Sequence, residues 1–92
     1  MERGSYESAS IKKLLLVEDN SATVSRLGER LAQQGGYQVI VASDCVTALK
    51  FLRFCKPDLI LVDARLLTQH GIDLLPRLQR MQDLQDIPLL LL

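Results

Sequence analysis

Three acidic residues in this chain sit where they could do chemistry. Glu18 and Asp19 directly follow the apolar run Leu14-Leu15-Leu16-Val17, and Asp63 directly follows Leu59-Ile60-Leu61-Val62. Each run has the continuity of a parallel strand buried on both faces. Carboxylates that close neighbouring parallel strands converge on one rim of the sheet, where open α/β folds place their ligands. Brought together, they repel one another unless a cation sits between them. An all-oxygen donor set suits a hard divalent ion, which makes Mg²⁺ the natural reading.

The elements that must position these groups alternate between strand and helix. Lys12 to Val17 reads as the first strand. Asn20 or Ser21 can cap a helix in which Val24, Leu27 and Leu31 recur at helical spacing while Arg26, Glu29, Arg30 and Gln33 face outward. Gly28 is a defect in that helix, costing about 1 kcal/mol relative to alanine, and either permits a close approach to the sheet or is tolerated. Gly35-Gly36 supplies the left-handed residue that ends the helix, and the β-branched stretch Tyr37 to Ala42 is the second strand.

Ser43 or Asp44 caps a second helix of about ten residues, with Val46, Leu49 and Leu52 inward together with Ala48 or Cys45. Lys56-Pro57 stops it, and Asp58 to Val62 is the third strand. A loop through Gly71 leads to a third helix from about Ile72 to Met81, with Leu74, Leu75 and Leu78 on its apolar face and Pro76 tolerated near the first turn. Ile87 to Leu92 reads as a fourth strand. This alternation predicts an α/β fold, a parallel sheet with flanking helices.

Composition narrows the function classes. At 92 residues and 48% hydrophobic, the chain is expected to form one packed domain. Residues 12–92 make up that domain, and the polar residues 1–11 read as a flexible tail. With 11 basic and 11 acidic residues and no basic stripe, it lacks the electrostatic footprint of direct nucleic-acid binding. Cys45 and Cys55 have no CxxC spacing and no leader ahead of them, so reduced thiols and a cytoplasmic location are expected. The longest apolar runs fall far short of the roughly 20 residues a membrane helix needs. His70 sits in a polar loop without a partner motif and is expected to be solvated, as are Lys12, Lys13, Arg77 and Arg80.

With Val17-Glu18-Asp19-Asn20 after the first strand, Lys56-Pro57-Asp58-Leu59-Ile60-Leu61-Val62-Asp63 through the third and Asp86-Ile87-Pro88 opening the fourth, the chain resembles a response-regulator receiver domain of two-component signal transduction. The likeness runs from about Lys12 to Leu92. It implies a flavodoxin-like receiver fold and a phosphorelay role. Asp63 would be the phospho-acceptor, served by a histidine kinase or phosphotransfer protein. Glu18, Asp19 and Asp63 would hold Mg²⁺, with Arg65 lending its backbone carbonyl while its side chain is free to vary or to lie near the phosphoryl group and tune its lifetime. A carboxylate nucleophile forming an acyl phosphate beside a charge-neutralising cation is sound chemistry. The chain is then a regulatory phosphoprotein module and not an enzyme.

The chain departs from the receiver pattern at Leu67, where proline is usual, and at His70, where an acidic or amide residue is frequent. A receiver's hydroxyl residue after the fourth strand, its lysine on a fifth, its last strand and its last two helices would all fall after Leu92. Helix one is therefore expected to stand alone on its face. The fourth strand is expected to offer an unpaired apolar edge for a homodimer or a completing segment. A receiver-like interaction module that is not phosphorylated is the alternative function. A hydrolase using Asp63 as nucleophile is opposed by Arg65, which stands where such enzymes need a second acid.

Overall fold

The structure, a computed structural model, describes residues 12–69, 71–81 and 84–92. The expected tail at 1–11 and the solvated role of His70 lie outside the described residues. Four parallel strands form the main sheet: β1 (Lys12–Val17), β2 (Tyr37–Ala42), β3 (Leu59–Val62) and, last in the chain, β6 (Leu89–Leu91). They lie in the order β2-β1-β3-β6. Three helices connect them, α1 (Ser21–Gln33), α2 (Cys45–Leu52) and α3 (Leu74–Arg80).

The unbroken apolar runs belong to central strands because both faces of the sheet are covered. Successive side chains point to opposite faces. Leu14 and Leu16 of β1 join Leu61 of β3 beneath Val24, Leu27 and Leu31 of α1. Leu15 and Val17 join Ile60 and Val62 on the other face, against Cys45, Ala48 and Leu52 of α2 and Leu74 and Leu78 of α3. Among the described helices, α1 stands alone on its face, as expected.

Caps and glycines set the helix ends. The Thr23 amide donates to Asn20 Oδ1 at 2.9 Å, opening α1, and the Thr47 amide donates to Asp44 Oδ1 at 2.7 Å, opening α2. Gly36, at φ +70°, takes the left-handed conformation after α1. A Cβ added at Gly28 would meet nothing within 4 Å, so this glycine is tolerated and not required by packing.

Several boundaries differ from the sequence reading. The segment after Asp63 is a 3₁₀ turn over Ala64–Leu66 followed by a short antiparallel hairpin, β4 (Thr68–Gln69) and β5 (Ile72–Asp73), around Gly71 at φ +75°. The Thr68 hydroxyl donates to Asp73 Oδ1 at 2.9 Å across it. Ile72 and Asp73 are thus committed to a strand, and α3 starts two residues later than its apolar pattern suggested. Leu75 is 41% exposed, because Leu74 and Leu78, one helical turn apart, already fill the buried stripe. The third strand begins at Leu59 and not Asp58, whose carboxylate instead accepts from the Lys13 amide at 2.7 Å.

β6 is three residues long and pairs with β3 on one side. No described strand lies on its other side, and Leu90 and Leu91 are 53% and 55% exposed. Both cysteines are free, Cys45 buried and Cys55 half-buried.

Candidate functional site

The sheet register builds the site. Val17 of β1 lies opposite Ala42 of β2 on one side and Val62 of β3 on the other, so the strands end in step. The ladder runs one rung further on each side. The Glu18 amide donates to the Ala42 carbonyl, and the Asp63 amide donates to the Val17 carbonyl, both at 3.0 Å. Glu18 and Asp63 therefore leave the sheet side by side, and Asp19 follows at the loop into α1. One oxygen from each of Glu18, Asp19 and Asp63 lies within 4.8 Å of the others, so the structure brings the sequence-predicted carboxylates together.

Their environments differ. Glu18 is 4% exposed, and its Oε2 accepts from the amides of Asp19 and Asn20, each at 3.0 Å, which replace the water that burial removed. The same Asn20 caps α1, so the turn that starts the helix also fixes Glu18. Asp19 is 45% exposed at the mouth of the cluster, while Asp63 is 16% exposed between them. Asp63 Oδ1 accepts from the Arg65 amide at 2.9 Å, capping the 3₁₀ turn.

That turn brings the Arg65 side chain back over the cluster. Its Nε donates to Asp63 Oδ1 and Oδ2 at 3.2 and 3.0 Å. Its Nη2 lies 2.5 Å from Asp63 Oδ2, 2.9 Å from Asp19 Oδ1 and 3.5 Å from Glu18 Oε2. Hydrogen bonds from the Arg65 side chain, then from its backbone amide, hold the Asp63 carboxyl below its usual value, and the ion pair raises the Arg65 guanidinium. The sequence reading gave Arg65 a backbone role and allowed its side chain a place near the phosphoryl group; here the side chain spans all three carboxylates. The missed signal is the Asp-x-Arg spacing on a strand-closing turn, where an aspartate that caps residue i+2 draws that residue's side chain back onto itself.

A second link was also not legible. Gln69 of β4 turns its Oε1 onto the Cys45 amide at 3.0 Å, tying the hairpin after Asp63 to the start of α2. Chemically, the rim offers three hard oxygen donors close enough together for a divalent cation to lie among them, with Asp63 beneath the exposed Arg65 side chain. No helix among the described residues is long and apolar enough to cross a membrane.

Residues 14–92 match the family model of the response regulator receiver domain. The chain is 42% identical over 69 residues, 75% of its length, to the alkaline phosphatase synthesis transcriptional regulatory protein PhoP of Bacillus subtilis, and spans 28% of that relative. Its fold is similar to that of the chemotaxis response regulator CheY4 of Vibrio cholerae, with a TM-score of 0.78 and 23% identity over 88% of this chain and 67% of that one. It is similar as well to the phosphorylated cyanobacterial phytochrome response regulator RcpA, with a TM-score of 0.75 and 31% identity over 88% of this chain and 64% of that one. The four-stranded parallel sheet with helices on both faces is thus a flavodoxin-like receiver architecture.

Proposed function

This chain belongs to the response-regulator receiver family, and on that premise we propose that it accepts a phosphoryl group on Asp63 in a Mg²⁺-dependent phosphorelay. The observation that supports this most is the convergence of Glu18, Asp19 and Asp63 at the ends of strands held in register. The family is regulatory, and the role proposed for this chain is that of a phosphoprotein switch module in the cytoplasm.

In the proposed transfer, an Asp63 carboxylate oxygen attacks the phosphorus of a phosphohistidine on a histidine kinase or phosphotransfer protein. A P–O bond forms as the P–N bond breaks, and the imidazole nitrogen keeps the electron pair and gains a proton. Glu18, Asp19 and Asp63, with the Arg65 backbone carbonyl, would hold Mg²⁺, which supplies positive charge against the phosphoryl oxygens. The backbone amides on Glu18 keep that ligand aimed, and the amide of Arg65 orients Asp63. The edge of β6 that no described strand pairs is the surface through which a second copy or a completing segment would add.

Incubation with Mg²⁺ and acetyl phosphate tests the acceptor. Intact-mass measurement should show a gain of one phosphoryl group that disappears in Asp63→Asn. An adduct that survives this substitution refutes the assignment. No adduct in either protein favours a receiver-like interaction module, the reading supported by a guanidinium already neutralising Asp63.

A further inference from the structure

We infer that the Arg65 guanidinium is an internal cation that competes with the divalent ion for the carboxylate cluster, so that metal binds as the guanidinium leaves. The inference rests on the proposed reading of the cluster as a Mg²⁺ site. Nη2 is within 3.5 Å of one oxygen from each of the three carboxylates. A Mg²⁺ ion sits about 2.0–2.1 Å from its oxygen ligands. Oxygens that lie within 4.8 Å of one another leave room for one cation among them. The guanidinium takes that space, and two positive charges do not share it.

The side chain is built to leave. Arg65 is 65% exposed, whereas Glu18, the buried ligand, is held by two backbone amides. Swinging the guanidinium into solvent disturbs no core contact and leaves the Arg65 amide on Asp63 Oδ1, so the turn persists. Departure also frees Asp63 Oδ2, the oxygen on which Nη2 sits. One side chain therefore covers both the cation's place and a nucleophilic lone pair. A ligand that must first expel an internal group binds more weakly by the fraction of time the site is open.

The test is calorimetric titration of Mg²⁺ into the full chain and into Arg65→Ala and Arg65→Gln, the second keeping the polar stem if the first folds poorly. Removing charge-assisted bonds of this kind should tighten Mg²⁺ binding about tenfold. A position-specific readout separates displacement from a general field effect. The Arg65 Nε–H cross-peak in an ¹⁵N spectrum, identified by its loss in Arg65→Gln, should shift on Mg²⁺ saturation as its bonds to Asp63 break. Equal Mg²⁺ affinity in all three proteins, or an Nε–H signal unmoved at saturation, overturns the competition while leaving the metal site standing. No Mg²⁺ binding in any of the three overturns the metal site itself and the inference with it.

Discussion

Asp63 draws its acidity from a residue two positions further along the same chain, and this leaves a signature in acid. Its folded-state pKa is lowered from the usual 3.8, chiefly by the Arg65 side chain. A depressed carboxylate contributes stability that is fully present above the unfolded value and is lost as pH falls through the folded one. The wild-type chain should therefore keep this contribution until the pH drops below about 3.8. In Arg65→Ala, the carboxylates lose their counter-charge and Asp63 protonates earlier, so the acid limb should move to higher pH. Far-UV circular dichroism followed from neutral pH downward in chelator checks this, and coincident limbs would contradict the role given to Arg65. At this scale the sequence was half legible. Apolar runs ending in acids locate Glu18, Asp19 and Asp63, because strand ends are defined by hydropathy. The path of Arg65 depends on a capping turn three residues long, which leaves no periodic trace.

Elements explain why the carboxylates are rigid enough to matter. Leu15 is fully buried at the centre of β1, beside the rim it supports, and Leu15→Ala should cost about 2–5 kcal/mol in denaturant unfolding. Gly28 offers the opposite change. With open space where its Cβ would be, Gly28→Ala should raise stability by about 1 kcal/mol, read as a higher denaturant midpoint at unchanged slope. The strands, α1 and α2 were legible because buried strands are continuously apolar and amphipathic helices keep a 3.6-residue period. The hairpin of β4 and β5 was not. Two-residue strands have no pattern to detect, so Thr68 to Gly71 reads as loop and Ile72 and Asp73 as the start of a helix until the left-handed Gly71 and the Thr68 to Asp73 bond are seen. The same hairpin shortened α3 at its start.

Across the whole molecule, the feature that bears on association is the β6 side of the sheet, beyond which no described strand lies. Leu90 lies level with Leu61 and Leu91 with Val62, so they point to opposite faces, and both are more than half exposed. An unpaired strand edge flanked by apolar side chains on both faces favours association. Gel filtration should show concentration-dependent self-association that falls in Leu90→Lys and Leu91→Lys; a strictly monomeric wild-type chain at all concentrations would count against this. The parallel register of β6 has a practical consequence as well. The Leu92 amide donates to the Val62 carbonyl at 2.9 Å, one residue short of Asp63, whereas Lys12 opens β1 at the opposite rim. A polyhistidine tag fused after Leu92 would emerge beside the carboxylates, bringing its own affinity for divalent ions into every titration. The same tag placed ahead of Met1 would be joined through a segment that enters the sheet at Lys12 on the far rim, so labelling and immobilisation chemistry belongs on that side.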